Sequence, residues 1–162
     1  MRRRAAIIVE LLLAMPVLVM GLLAALEFGV MMSNFQQIAL ASRNGALAAS
    51  ETMNLDTAVN VPPNVVDVVD RQLGSANMTP CRIRLEHNVG GPQAELLEPA
   101  VGGCDCGPAM FVAPVPTRPY VQVTVCVDMT QVAPNCLKNF GFDLTGQVAE
   151  FTTLMRHEMP IP

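Results

Sequence analysis

The sequence predicts an α+β protein: a long N-terminal helix, transmembrane in its first half, packed on a small antiparallel sheet of three or four strands. Three observations carry this prediction. The stretch Ala5–Leu26 is apolar except for Glu10, residues 27–53 contain no proline, and residues 120–128 alternate around β-branched side chains. Packing a helix on one face of a sheet is one of the few stable arrangements that bury the apolar side of the helix and the apolar face of the sheet.

The apolar stretch has the length of a membrane span. The hydrocarbon core of a bilayer is about 30 Å thick, and about 20 helical residues cross it. Residues 2–4 are arginines, and positive flanks stay on the cytoplasmic side. Of the 14 acidic side chains only Glu10 and Glu27 precede Phe28, whereas three of the ten basic ones do. The sequence therefore predicts a single-pass protein of the inner (cytoplasmic) membrane with its C-terminal domain outside the cytoplasm.

Two residues distinguish this span from an ordinary anchor. An acidic side chain costs about 2.5 kcal/mol or more at the bilayer centre and is a functional candidate by default. Glu10 lies near the cytoplasmic end, where the cost is lower, but its carboxylate still needs a partner. Pro16 removes a backbone donor and is expected to kink the helix or loosen one turn.

The order of residues in the N-terminal stretch resembles that of one family. A basic leader is followed by small residues, an acid five positions after a small residue, a proline six positions further on, and the tripeptide EFG at residues 27–29. This pattern resembles TadE-like minor pilins, the pseudopilin group of the tight-adherence (Tad) branch of type IV pili. The resemblance is close over residues 3–29 and returns weakly at residues 120–127 and 153–158.

The resemblance implies a maturation step. Prepilin peptidase would cut so that the acid becomes residue five of the mature chain, which places the cut between Ala5 and Ala6. The family usually carries glycine before the cut, whereas this chain carries Ala5, which is also small. On the same resemblance, Glu10 and Pro16 act in assembly.

The resemblance also implies a pilin-like fold, a function and a set of partners. The function is that of a structural minor pilin that takes part in Tad pilus assembly through its N-terminal helix, and hence in cell adhesion. The partners are other pilins and minor pilins, prepilin peptidase, the inner-membrane pilus assembly platform and the lipid bilayer. Beyond the inner membrane, the second location that the resemblance implies is an extracellular pilus. The alternative is a membrane-tethered extracytoplasmic binding or adhesion module that is not assembled into a filament.

The first helix is expected to continue beyond the membrane. Residues 27–53 contain no proline, and their apolar side chains approximate a one-face spacing, interrupted at Asn44-Gly45. The predicted divisions are a leader over 1–5, a helix over 6–53 and a small extracytoplasmic α+β domain over 54–162. Two alternatives are a short unrelated second helix and a cleavable secretory signal ending near residues 39–41. The apolar core is longer than the 7–15 residues typical of a signal.

The outer domain shows a second helix, several strands and long loops. Val65, Val69 and Leu73 define one apolar face of a helix over 63–73. Alternating residues predict the strands and turn residues the loops: strands over 81–87, 120–128 and 144–156, loops over 93–115 and 131–142, and one short strand at 110–112.

The five cysteines, all in the outer domain, are predicted to form disulfides. They are Cys81, Cys104, Cys106, Cys126 and Cys136. An exported location favours oxidation, and Cys126 with Cys136 is the favoured pair because the two bracket a strand exit. A zinc site of four of these thiolates is the alternative. Its one-residue spacing at 104–106 is shorter than the two to four residues typical of structural zinc sites.

The remaining polar residues predict no enzyme. His87 and His157 are the only histidines, and no motif around a serine resembles a nucleophile elbow. His157, between two charged residues, is expected to be a solvated strand-end residue, and Asp105 a turn residue. A net charge of −4 without a basic cluster beyond the leader argues against nucleic acid. No cofactor, no metal and no catalytic residue are therefore expected.

Overall fold

The computed structural model describes residues 2–91, 93–98, 103–108, 118–135, 138 and 141–158, with side chains from Glu10 onward. It contains a long N-terminal helix on a four-stranded antiparallel sheet, so the predicted α+β arrangement is confirmed. The helices are α1 (Arg2–Ser50), α2 (Pro63–Gly74) and α3 (Met129–Val132), and the strands are β1 (Arg82–His87), β2 (Glu95–Leu97), β3 (Tyr120–Asp128) and β4 (Val148–Arg156).

Helix α1 is one uninterrupted helix of 49 residues, about 73 Å long at 1.5 Å per residue. Pro16 lies inside it and the helix continues on both sides. The expected interruption at Asn44-Gly45 is absent. Gly45 lies instead where α1 approaches α2 and the sheet most closely, so its missing side chain allows packing and does not break the helix.

The sheet has the strand order β2-β1-β3-β4, with every neighbouring pair antiparallel. Strand β2 lies inside the segment predicted to be a loop, because three residues are too few to show an alternating pattern. The predicted strand at 110–112 lies outside the described residues. The closing strand begins at Val148 and not at residue 144, and the loop predicted from residue 131 is preceded by the single-turn helix α3.

The core lies between the second half of α1, helix α2 and one face of the sheet. Small and branched residues of α1 pack there on valines of α2 and β3. The Ser42 hydroxyl donates to the carbonyl oxygen of Val123 at 2.9 Å and lies 2.9 Å from the Thr153 hydroxyl oxygen. These contacts fix the position of α1 along the strands. The buried apolar side chains of α1 and α2 are Ile38, Ala41, Ala46, Ala49, Val65, Val69 and Leu73.

The opposite face of the sheet is polar and is also covered. Eight of the nine residues of β3 are buried, from Tyr120 to Val127. The Arg84 guanidinium on this face binds the Glu98 carboxylate, with 2.6 Å between Nε and Oε1, and donates to the carbonyl oxygen of Gly107. The segment that follows β2 is therefore held against the second face at two points.

Candidate functional site

The first half of α1 is an apolar surface that the other described residues leave exposed. From Leu11 to Met20 every side chain is exposed, and Val17 has 71 % of its surface accessible. Among the described residues, α1 is the one helix that is long and apolar enough to cross a membrane, with a window of mean hydropathy 2.3. These properties fit a single-pass membrane anchor.

The predicted processing and assembly residues all lie on this free part of α1. Ala5 and Ala6 are within the helix, and the side chains of Glu10 and Pro16 are exposed. The nearest side chain of α1 buried by the domain is Glu27, 17 residues and about 26 Å along the axis from Glu10. The Glu10 carboxylate is therefore remote from the folded domain and from its cysteines.

Glu27 is a buried acid that the sequence did not reveal as such. Only 8 % of its surface is exposed, and its Oε2 atom has no hydrogen-bond partner among the described residues. Its position in the tripeptide EFG, directly after the apolar stretch, was the available indication. Glu10 and Glu27 thus bracket the exposed apolar surface, one carboxylate free and the other covered within the chain.

Around residues 32–35, α1 lies beside α3 and the start of β4. The Asn34 side-chain amide donates to the carbonyl oxygen of Val132 at 2.7 Å, which ties α3 to the long helix. Beside this contact a shallow apolar groove runs between α1, α3 and the start of β4. Its lining includes Met32, Phe35, Met129, Leu144 and Val148.

Four cysteines form two neighbouring disulfides at one end of the polar sheet face. Cys81 pairs with Cys104 and Cys106 pairs with Cys126. The favoured pairing of Cys126 with Cys136 is therefore wrong: the Cys104–Cys106 segment lies against the end of the β1–β3 pair, where Cys81 and Cys126 are neighbours. Cys136 itself lies outside the described residues.

The two bridges differ in exposure and lie close together. Cys106 and Cys126 are buried, whereas Cys81 and Cys104 are half-buried. The Sγ atoms of Cys104 and Cys106 are 3.9 Å apart. Within the described part of the chain, no group of three or more His, Cys, Asp and Glu side chains has the arrangement of a metal site.

Both histidines are buried at the end of the domain that is most distant from the exposed half of α1. The prediction of a solvated His157 is wrong, because the ring lies against the main chain after α1, with Nε2 3.3 Å from the carbonyl oxygen of Thr52. His87 is fully buried, and neither ring nitrogen has a partner among the described residues. Burial lowers the pKa of His87, and the neighbouring His157 lowers it further, against the carboxylates of Glu95 and Asp56.

A second buried polar contact joins β1 to β3. The Tyr120 phenol donates to the Glu86 carboxylate. Burial, and then this hydrogen bond, raise the pKa of Tyr120 well above its ordinary value. The phenol therefore stays protonated at physiological pH and acts as a structural donor.

A comparison with protein families finds a match to the N-terminal helix. Residues 5–47 match the family model described as TadE-like protein. The match begins at Ala5, ends three residues before the end of α1, and does not include α2 or the sheet. The resemblance read from the N-terminal residues is thereby confirmed. No curated protein and no solved structure matches the chain.

Proposed function

We propose that this TadE-like chain is a structural minor pilin that joins Tad pilus assembly through helix α1. One observation carries the proposal. A single continuous helix presents a bare apolar surface over its first half and holds the folded domain with its second half. The TadE-like family is a structural family of Tad pilus systems, and its model covers this helix.

The exposed half of α1 needs an apolar environment. Burying a Leu, Val or Met side chain is worth about 1.5–3 kcal/mol relative to leaving it in water. The ten consecutive exposed residues from Leu11 to Met20 therefore favour lipid or a bundle of like helices strongly over water. Because lipid and a helix bundle both bury the same apolar surface, the subunit can reside in the membrane before assembly and pack in a filament afterwards. The free helix is the part that would contact other pilins.

Glu10 supplies a polar contact within this apolar surface. A cut between Ala5 and Ala6 creates a positive α-amino group about one helical turn from the carboxylate. Either charge alone is costly in a low dielectric, and pairing offsets much of that cost. The Glu10 side chain is exposed and distant from its own domain, so it is available to the α-amino group of a neighbouring subunit. Such a pair would set the axial register between subunits.

Maturation separates the minor pilin from the tethered binding module. The experiment measures the N-terminus of the full chain, extracted from membranes of cells with and without prepilin peptidase. A minor pilin begins at Ala6 only in cells with the enzyme, whereas a tether keeps Met1 or Arg2 in both.

Two variants at the cut give the matched controls. Ala5→Gly restores the residue usual before the cut, so we expect it to be processed at least as well as the wild type. Ala5→Leu places a large side chain there, and we expect it to remain uncut but inserted. An intact N-terminus in the wild type and in Ala5→Gly would overturn the minor-pilin proposal and leave the tether.

A further inference from the structure

The connection between β3 and β4 forms the end of the domain that is closest to the membrane span. Strand β4 starts beside Phe35 of α1 and ends at Arg156, just before His157 contacts Thr52, so it runs in the same direction as α1. Strand β3 is antiparallel to β4 and therefore runs toward the membrane. Helix α3 and the described residues between it and β4 therefore lie at the membrane-proximal end.

This end carries a well-ordered turn, residues 141–146, which we call the Phe142 turn. The Asp143 carboxylate accepts from the backbone NH of Thr145 at 2.9 Å and from its hydroxyl at 2.6 Å. The same oxygen accepts from the side-chain amide of Asn135 at 2.9 Å. Gly141 and Gly146 bound the turn with φ values of +94° and +76°, in the region that favours glycine. The turn is thus held in one shape.

The turn presents a large, exposed apolar side chain. Phe142 has 67 % of its surface exposed. The Asp143 charge beside it is balanced by the Lys138 ammonium, with 3.4 Å between Nζ and Oδ2. Hydrogen bonds to Thr145 and Asn135 hold the pKa of Asp143 well below its ordinary range. The turn therefore carries an exposed aromatic ring, and the two charges beside that ring offset each other.

The level of the turn matches the end of the span. A bilayer core of about 30 Å needs about 20 helical residues, so a span that starts between Ala6 and Glu10 ends between residues 25 and 30. Phe28 is an exposed apolar residue of α1 at this level, and Met32, one turn further along, is 59 % exposed. Leu144, within the turn, lines the same groove as Met32.

We propose that the Phe142 turn rests on the membrane and places the Phe142 ring in the lipid interface of the extracytoplasmic leaflet. A lipid surface is favoured over a protein partner because the apolar surface of the turn is continuous with that of the span through Leu144 and Met32. Aromatic residues are favoured at this depth of a bilayer. The contact would fix the tilt of the domain on its anchor. It rests on the membrane span of α1 and is independent of pilus assembly.

The chain contains no tryptophan, so one substitution creates a unique fluorescent reporter. Phe142→Trp is placed in the full-length chain, reconstituted as one copy per lipid nanodisc, with phosphatidylcholine or its acyl-brominated form. We expect blue-shifted emission and at least a twofold loss of intensity in the brominated lipid.

Two further single-tryptophan variants give the references. Val17→Trp lies in the span and should be quenched most strongly. Leu154→Trp replaces a side chain that is 49 % exposed on β4. Its neighbour Thr153 contacts Ser42, about 15 Å further along α1 than Met32. Leu154→Trp should show neither the shift nor the quenching.

The outcomes are distinct. Unquenched Phe142→Trp beside quenched Val17→Trp would overturn the membrane contact and leave the span intact. Unquenched Val17→Trp would overturn the span itself. A blue shift of Phe142→Trp that appears only when several copies share one nanodisc would assign the turn to a protein contact and also overturn the proposal. Amide hydrogen exchange over residues 141–147, measured in nanodiscs, should be slower in the wild type than in the Phe142→Ser variant. This comparison checks the contact without tryptophan.

Discussion

A β-carbon added to Gly45 would lie 2.8 Å from Cγ2 of Val69, so α1 and α2 approach each other closely at a position where α1 has no side chain. The same atom would lie 3.2 Å from Cγ1 of Val123 in the sheet. Both neighbours are fully buried valines with little freedom to move. Gly45 is thus the point at which the three layers of the domain meet.

We therefore predict that Gly45→Ala destabilises the domain. Alanine gains about 1 kcal/mol of helix propensity over glycine, but overpacking a well-filled core costs about 1–3 kcal/mol. A net loss of about 1 kcal/mol is expected in denaturant unfolding of the full chain in detergent, followed by far-UV circular dichroism.

Two variants control this experiment. Gly74→Ala adds a β-carbon with nothing within 4 Å and should be neutral or slightly stabilising. Val69→Ala in the Gly45→Ala background removes the clashing methyl groups and should cost less than the two single changes added together. Strict additivity, or an unchanged stability of Gly45→Ala, would show that the close approach is not constraining.

The disulfides give a second prediction. The purified chain should contain Cys81–Cys104 and Cys106–Cys126, which close loops with sequence separations of 23 and 20 residues. Each is worth about 3 kcal/mol in the loop-entropy model. Because Cys106 and Cys126 are buried, low concentrations of dithiothreitol should open Cys81–Cys104 first.

Peptide mapping after alkylation at increasing dithiothreitol concentration measures both the pairing and the order of opening. Cys81→Ser/Cys104→Ser and Cys106→Ser/Cys126→Ser each remove one bridge without leaving a free partner. A Cys126–Cys136 peptide in the unreduced protein, or reduction of the buried pair first, would contradict this account.

The buried His87 gives a prediction for acid stability. Its pKa is lowered from 6.5 by burial, so the unfolded chain binds a proton on this group more readily than the folded chain does. The contribution of His87 to stability is fully present above pH 6.5. It is lost as pH falls from there toward the lower pKa of the folded state.

Denaturant unfolding at several pH values between 4.5 and 8 measures this effect. His87→Gln should flatten the dependence below pH 6.5 relative to the wild type. His157→Gln is the matched comparison: it removes the neighbouring ring that adds to the lowering of the His87 pKa, but burial, the largest cause, remains, so most of the acid dependence should persist. An unchanged slope in His87→Gln would assign the acid dependence to another group.

The two carboxylates that bracket the exposed helix should behave differently. Glu10→Gln keeps size and removes charge, so we expect insertion and processing but loss of association with partner pilins. Glu10→Asp keeps the charge and should retain most of the association. Glu27→Gln changes a covered carboxylate and should alter domain stability without weakening association. Crosslinked complexes in membranes measure all three, and wild-type levels in Glu10→Gln would leave Glu10 as an ordinary interfacial residue.

Patterns that repeat locally were predictable from the sequence. The length and apolarity of α1, the apolar face of α2 and the alternation of β3 each depend on residues close together in the chain. The EFG tripeptide and the position of Glu10 identified the TadE-like segment for the same reason.

Features that depend on contacts distant in the chain were not predictable. His157 is buried because it meets Thr52, 105 residues earlier. The pairing of Cys126 depends on how Arg84 holds Glu98 and Gly107, and that hydrogen bonding has no local pattern. Strand β2 is recognisable by its pairing with β1, a contact that its own three residues do not indicate.

The most direct test of the central claim is a photo-crosslinking amino acid at position 17, which is exposed in the middle of the free part of α1. The full chain is expressed in cells that make Tad pili, illuminated, and separated into sheared filaments and membranes. Assembly through α1 predicts a crosslink in the filament fraction between position 17 and the N-terminal helix of another pilin subunit. A chain found only in the membrane fraction, with crosslinks to lipid alone, would contradict this account.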